Sequence, residues 1–301
     1  MKYIIGYVLF LVFCVQPLVA QDYYIESLYD AESLAKSTGS FVNNAASIWS
    51  NPAALAYLDG KFSVSSFQAS FIDNEVQYKN YSIAYKINNN NAIGVGYYAV
   101  GIDEILNTKF DSNGEGVVVD SYSFVNNIMK VNYQHKFENV SVGVGLTKYE
   151  YKTQAKTQAY SGDLGIIYQT PLQTKLADKL NISIGVQNIY PAKMEFKSKS
   201  ENIPMIITLG SKLEIRKKYS VYLQRRLQSS VQLTNIGLGF RPIKFVEFSC
   251  SKTQELLANG KKYTSSAVGV GLYLFGFQTN ISYSPTDYEK QQFYYSLKLN
   301  I

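Results

Sequence analysis

Side chains that could perform catalysis or bind a metal are few and lie far apart in this sequence. The chain has one histidine, His135, which alternates with aromatic residues and suits an interfacial polar position. An acid/base pair needs two titratable groups in one cleft, and no spacing brings Asp163 and Glu150 together. The sequence therefore gives no catalytic, cofactor-binding or metal-binding residues. We predict that the protein is not an enzyme and uses no cofactor.

Phosphate and nucleic-acid binding also lack support. The glycines in Gly94-Val95-Gly96 lie inside a strand-like run, so they do not form a phosphate loop between a strand and a helix. The formal net charge is +6, but the basic residues form short clusters between apolar segments. A nucleic-acid surface needs a continuous basic face. These clusters, at 216–218, 225–226 and 261–262, are better explained as solvated turn ends, and we expect no nucleic-acid partner.

The first twenty residues have the pattern of a secretory signal peptide. An apolar run over residues 3–15 leads to a small residue, Ala20, after which cleavage is expected. An alternative, a lipoprotein box ending at Cys14, lacks the small residue that should precede the cysteine. Cleavage after Ala20 would leave Cys250 as one free thiol, which excludes a disulfide framework. We therefore assign residues 1–20 as a signal peptide.

From Lys61 onward, apolar residues recur at every second position in short runs. In one run, Val140, Val142 and Val144 alternate with Ser141, Gly143 and Gly145. Successive side chains of a strand point to opposite faces, so each run has one apolar face and one small or polar face. The pattern predicts fourteen strands: 61–71, 76–87, 92–102, 119–137, 140–151, 160–169, 181–189, 204–214, 219–225, 231–240, 243–251, 264–274, 277–284 and 292–301.

The connections between these strands predict a transmembrane barrel. Short turns alternate with longer loops, which are expected at 103–118, 152–159, 190–203 and 252–263. That alternation is typical of outer-membrane barrels, although the long turn at 170–180 breaks it. In hydrocarbon every backbone polar group needs a partner, so a sheet must close on itself. We predict an all-β, antiparallel barrel of about 14 strands over residues 61–301. The alternative is a soluble, tyrosine-rich β-sandwich.

Several segments resemble the FadL-like outer-membrane β-barrel family, and in particular its PorV/PorQ-type subgroup. The segment "ASIWSNPAALAYL" (46–58) resembles the Asn-Pro-Ala stretch near the mature N-terminus of that subgroup. Further matches follow in the same order: "SGDLGIIY" (161–168), "ISIGVQNI" (182–189), "IPMIITLG" (203–210), "NIGLGFRP" (235–242) and "GFQTNISYSP" (276–285). This resemblance covers nearly the whole mature chain.

The resemblance implies that residues 21–60 fold back into the barrel as a short helical hatch. Pro52 suits the first turn of a helix, with Ser50 or Asn51 as its cap. Trp49 would pack against the lumen with its N–H bonded, and Leu55 would pack on a wall of small residues. The alternative is a linker helix that rests on the barrel mouth. The resemblance makes Trp49, Asn51, Pro52 and Leu55 the candidates that line a ligand route.

Three functions remain open from the sequence. FadL-like proteins imply passage of hydrophobic or amphipathic small molecules across the bacterial outer membrane. PorV-like proteins imply a docking or shuttle component for secreted proteins, with recognition by the long loops. A structural surface barrel without transport is the third. The partners implied are outer-membrane lipid, a hydrophobic ligand in the lumen, and a secretion-system or surface protein.

Overall fold

A closed antiparallel barrel dominates the computed structural model, which describes residues 30–71, 76–110, 112, 114–152, 156–172, 174, 177–190, 192–195, 200–284 and 292–301. Fourteen strands of this described part form the barrel. They are β1 (Phe62–Phe71), β2 (Val76–Lys86), β3 (Asn91–Phe110), β4 (Gly116–Phe137), β5 (Val140–Lys152), β6 (Lys156–Pro171), β7 (Lys179–Gln187), β10 (Ile206–Ile215), β11 (Tyr219–Gln228), β12 (Val231–Ile243), β13 (Val246–Leu257), β14 (Lys262–Leu274), β15 (Phe277–Ser284) and β16 (Gln292–Asn300). The predicted fold class and strand number are confirmed.

The first and last strands of the barrel close the sheet. β1 pairs with β16 in a register that runs from Ser63 opposite Asn300 to Gln68 opposite Tyr295. Each other barrel strand pairs with its neighbour in sequence, except that β7 pairs with β10. A separate two-stranded hairpin of β8 (Lys193–Glu195) and β9 (Ser200–Asn202) lies between them. Closure gives every strand two partners and leaves no edge for lipid to face.

The outer surface carries the apolar face of the predicted alternation. On β12, Ile236 and Leu238 are about half exposed, while Gly237 and Gly239, which follow them in turn, face inward. Exposed aromatic residues cluster at the short-turn end, as in the girdles of membrane barrels. They are Phe62, Tyr85, Tyr133, Phe137, Tyr168, Tyr219, Phe240, Phe245, Phe275 and Phe277. An apolar band bordered by aromatic rings is the surface that a bilayer requires.

Three of the predicted long loops consist largely of strand. The expected loop 152–159 holds the last residue of β5 and the first four residues of β6, with 153–155 outside the described residues. The expected loop 103–118 holds the end of β3 and the start of β4, and the expected loop 252–263 holds parts of β13 and β14. Alternation fails there because strand ends beyond the hydrocarbon are not required to keep one apolar and one polar face, although the hydrogen-bond ladder continues; Val117, Val118 and Val119, for example, are apolar at consecutive positions. Register shifts between Ile102 and Ile105 and between Asn107 and Thr108 further obscure the pattern.

Two other irregular connections have specific contacts among their described residues. The turn after β6, where a long connection was expected, is closed by a hydrogen bond from the Leu172 N–H to the Asp178 carbonyl oxygen, 2.8 Å. Asp178 also accepts from the Lys217 N–H at 2.6 Å, which ties this turn to the β10–β11 turn. On the opposite side, the chain turns inward at Asn188, whose φ is 59°, and the described residues 188–190, 192–195 and 200–205 follow. Met194 and Ile203 of this segment are buried in the lumen.

Residues 30–60 lie against the inner wall and form a plug, the name used below for this segment. It comprises the helix α1 (Ala31–Lys36) and two 3-10 helices, η1 (Ala45–Trp49) and η2 (Pro52–Tyr57). α1 contacts β12–β16, whereas η1 and η2 contact β1–β6. Among the residues that the structure describes, no helix is both long enough and apolar enough to cross a membrane.

The outward apolar band predicts a depth-dependent cost for a buried charge. Leu238→Arg places a guanidinium at the middle of β12 and should destabilise the barrel by about 2–4 kcal/mol. Ile243→Arg, on the same outer face but at the short-turn end, should cost only about 0–1 kcal/mol. The free energy of unfolding in phospholipid vesicles, measured by guanidinium titration, checks both values. Equal costs at the two positions would contradict a bilayer around this strand.

Candidate functional site

Local sequence sets the shape of the plug. Asn44 caps η1 by accepting from the Ala46 N–H at 2.9 Å, and Asn51 caps η2 by accepting from the Ala53 N–H at 2.9 Å. Pro52 occupies the first turn of η2, where its missing N–H costs no hydrogen bond. These two Asx caps satisfy backbone N–H groups at the starts of η1 and η2. The plug is too irregular to satisfy all of its backbone hydrogen-bonding groups by itself.

The polar inner face of the wall supplies the missing partners. Asn132 Nδ2 donates to the Ile48 carbonyl oxygen at 2.9 Å, and Gln187 Nε2 donates to that of Trp49 at 2.5 Å. On the other half of the barrel, similar side-chain donors reach plug carbonyls. They are Asn235 to Ser37, Ser251 to Leu34 and Ser282 to Ala31. The plug backbone is therefore bonded to the barrel around most of its circumference.

A row of glycines lets the plug approach the wall. Gly143, Gly165 and Gly185 lie directly opposite one another on β5, β6 and β7. A Cβ at Gly143 or Gly165 would overlap Asn51 or Pro52. Asn51 Nδ2 also donates to the carbonyl oxygen of Ile184 at 3.2 Å. The absence of side chains along this row is what brings η2 into contact with the strands.

Trp49 and Leu55 anchor the opposite half of the plug. Trp49 Nε1 donates to Ser82 Oγ at 2.8 Å, and its ring lies 5.9 Å from that of Tyr98. Leu55 is fully buried, and a Cβ at Gly94 would contact its methyl groups. Both side chains belong to one apolar cluster, which extends from Ala84 and Ala92 near a short turn to aromatic and aliphatic residues on the long-loop side of the plug. This cluster contains Tyr98, Ile128, Tyr149, Ala192, Met194 and Ile203.

A buried ion cluster, which we call the latch, joins α1 to β13 and β16. Lys298 Nζ lies 2.5 Å from Glu32 Oε2 and 2.8 Å from Asp30 Oδ2. Lys36 Nζ lies 2.6 Å from Glu32 Oε1 and 2.7 Å from Glu247 Oε1. Arg241 of β12 completes it with a 2.5 Å contact to Glu247 Oε2. Three cations and three carboxylates balance within this cluster.

The pairing keeps the plug side of the latch charged over a wide pH range. Burial alone would raise the pKa of the Glu32 carboxyl, but Lys298 and Lys36 outweigh it and hold the pKa well below its ordinary value. Burial would lower the pKa of Lys36, but Glu247 and Glu32 raise it well above its ordinary value. Because the pKa of Glu32 is lower in the folded protein than in the unfolded chain, its negative charge stabilises the docked plug at pH values above the unfolded-state pKa. This stabilisation is lost only as the pH falls toward the folded-state pKa. The latch therefore holds at neutral and mildly acidic pH.

A small cavity separates the plug from the inturned segment 188–205. It measures about 40 Å³ and is bordered by Trp49, Ile128, Tyr149, Asn188 and Ile203, among others. Such a volume admits ordered water but lies far below the ~150 Å³ of a cavity that binds benzene. This cavity therefore does not admit such a molecule in this conformation.

The predicted site residues therefore occupy different environments. Of Trp49, Asn51, Pro52 and Leu55, Trp49 borders this cavity, whereas Asn51 and Pro52 face the glycine row and Leu55 is enclosed. The latch was not predicted. The sequence did contain one signal for it. In the alternation of β16, Lys298 falls on the same strand face as Ser296, which is the face that points into the lumen.

Solved structures of hydrocarbon channels share this fold. The monoaromatic hydrocarbon channel CymD superposes with a TM-score of 0.60 at 12% identity, covering 89% of this chain and 96% of that one. The Pseudomonas putida toluene transporter TodX gives 0.59 at 11% identity, covering 94% and 98%. A Pseudomonas aeruginosa FadL homologue gives 0.59 at 8%, covering 94% and 99%. No protein-family model and no curated protein matches the sequence. The likeness establishes a FadL-like barrel fold.

Removing one latch cation should undock the plug without opening the barrel. Lys298→Met leaves the Asp30 and Glu32 carboxylates without their shared ammonium, and breaking a buried pair in this way costs about 3–5 kcal/mol. Hydrogen–deuterium exchange should accelerate across residues 30–60 and stay slow in the strands.

Two variants test whether charge pairing is the cause. Lys252→Met removes an exposed lysine from the same wall and should leave plug exchange unchanged. Adding Asp30→Asn and Glu32→Gln to Lys298→Met removes the orphaned charges and should restore most of the protection. Slow plug exchange in Lys298→Met alone would refute the latch.

Proposed function

We propose that this barrel passes hydrophobic or amphipathic small molecules across the bacterial outer membrane. The observation that carries the proposal is a lumen that holds a plug, with an apolar cluster that extends to aromatic and aliphatic residues on the long-loop side of that plug. An apolar molecule has no favourable site in a polar, water-filled pore, whereas this cluster offers one. The shared fold with hydrocarbon channels agrees with this reading.

Passage requires a movement, because the cavity beside Trp49 is too small for such a molecule. A ligand entering from the long-loop side would first meet Ile203 and Trp49. Asn51, Pro52 and Leu55 are held against the wall in this conformation. Displacement of the plug would expose them to the ligand path. We therefore keep these four plug residues as the candidates that line the ligand path.

The cellular setting follows from the same proposal. Residues 1–20, which lie outside the described residues, would direct export and be cleaved after Ala20. The outward apolar band and aromatic girdle would place the barrel in outer-membrane lipid. Residues 21–60 would then act as the hatch domain and residues 61–301 as the barrel domain.

A second function is favoured by the β3–β4 hairpin. Its strands extend beyond those of neighbouring hairpins and carry exposed apolar side chains outside the barrel, namely Leu106, Phe110, Val117, Val118 and Val119. A protruding apolar hairpin is a surface that a protein partner can cover. This supports a PorV-like docking or shuttle role for secreted proteins.

A cross-link between plug and wall should stop transport. Ser37 Oγ lies 3.1 Å from Thr253 Oγ1, so cysteines at both positions are close enough for a disulfide. In a Cys250→Ser background, oxidised Ser37→Cys/Thr253→Cys should take up radiolabelled toluene no faster than membranes without the protein. Reductant should restore uptake, because the plug is free again.

The same variant supplies its own control, since oxidised and reduced samples differ in one bond. Uptake of radiolabelled decanoate tests an amphipathic ligand in parallel. If both probes enter equally fast in the oxidised and reduced states, plug movement is not part of transport.

The docking role predicts a different sensitivity. Leu106→Ser/Phe110→Ser should abolish co-purification of secreted proteins from native membranes while toluene uptake persists. Leu297→Ser, an exposed apolar change on the barrel wall, is the matched control and should retain any partner. Loss of uptake with unchanged co-purification in the hairpin variant would contradict this second function.

A further inference from the structure

A second, polar cavity lies on the short-turn side of the plug. It measures about 300 Å³, at the lower end of the range for small-molecule sites. The plug forms one side through Phe41, Asn43 and Tyr57, and the wall of β7 and β10–β13 forms the other. The exposed turn residues Lys217 and Lys218 stand at its rim. The cavity therefore lies at the short-turn end of the described barrel.

The lining has an excess of positive charge. Six cations and four carboxylates border the cavity. The cations are Lys36, Lys179, Lys212, Lys217, Lys218 and Arg241, and the carboxylates are Glu32, Asp59, Glu214 and Glu247. Glu32 is further neutralised by Lys298, which lies outside the lining. The field inside the cavity is therefore positive.

Glu32, Glu214 and Glu247 are each paired with a cation, and Asp59 accepts a hydrogen bond from the Asn43 amide. Several of the cations have no such partner. Glu214 lies 2.7 Å from Lys212, and Glu247 is shared between Lys36 and Arg241. Within the described part of the chain, no carboxylate lies within 4 Å of the ammonium groups of Lys179, Lys217 or Lys218. Three donors therefore remain at one cavity for an external anion.

Two of the paired lysines contact the same aromatic ring on the cavity lining. The ammonium groups of Lys36 and Lys212 lie 5.9 Å and 5.7 Å from the centre of the Tyr222 ring. A bound anion would be attracted to both positive charges. The ring adds cation–π stabilisation but no negative charge.

We propose that this cavity binds a small, soluble organic anion with two or more carboxylate or phosphate groups. Such a ligand would bridge Lys179 and Lys217 across the mouth, next to the Lys36–Glu247–Arg241 end of the latch. The site goes beyond the proposed transport of apolar molecules and does not depend on it. Its occupancy would set the local charge beside the latch from the short-turn side.

Calorimetric titration with citrate tests the proposal on the full chain in phosphatidylcholine nanodiscs. Citrate should bind at low ionic strength, and its uncharged trimethyl ester should not. Lys179→Gln/Lys217→Gln should weaken citrate binding at least about tenfold, because hydrogen bonds to charged groups are lost. Neither lysine has a carboxylate partner to orphan, and heat-modifiable migration in SDS confirms that the variant barrel is closed.

The matched control removes two other exposed lysines from the same end of the barrel. Lys61 and Lys244 each lie beside an aromatic ring and do not line the cavity. Lys61→Gln/Lys244→Gln should leave citrate affinity unchanged. Equal weakening in both double variants, or binding of the ester, would overturn the site. Loss of citrate binding in phosphatidylglycerol nanodiscs would also overturn it, because a lipid headgroup would then be the occupant.

Discussion

The closed hydrogen-bond ladder is the constraint on which the rest of this molecule depends. Hydrocarbon offers no partner to a backbone N–H or C=O, so β1 must meet β16. Closure fixes a two-residue period, with an apolar face outward, and leaves the inward face free of any need for hydrophobicity. That freedom is what allows glycine, serine, asparagine and lysine to line the lumen. The polar lining of the lumen is thus possible because the apolar residues are placed on the outer face.

The polar inner face of the barrel provides hydrogen-bond partners for the backbone of the plug. Three short turns cannot satisfy their own backbone, and they would be costly to bury in an apolar interior. Asn132, Gln187 and Asn235 bond plug carbonyls, while glycines on β5, β6 and β7 admit η2. The wall and plug are complementary in hydrogen bonding and in shape. This complementarity explains how so irregular a segment is almost fully buried.

The strands, whose alternation the membrane environment imposes, could be predicted from the sequence. Contacts between residues that are far apart in the chain could not. The strands were predictable because the bilayer imposes their alternation, and boundaries failed where β3 and β4 leave hydrocarbon. Asn51 and Pro52 stood out because caps and proline act locally. Glu32 and Lys298, by contrast, are separated by 266 residues, and no local pattern links them. The glycine row likewise exists only once register aligns Gly143, Gly165 and Gly185.

The latch also determines how the plug can leave. Separating Lys298 from Asp30, which are both fully buried and do not line the polar cavity, leaves two unpaired charges in a low dielectric, which costs several kcal/mol. The same separation costs little once water surrounds both ions, because exposed pairs contribute only about 0–1 kcal/mol. Partial undocking without hydration is therefore the least favourable state. A plug that moves, as the proposed transport requires, would therefore pass between a docked state in which these ions are paired and a released state in which both ions are hydrated.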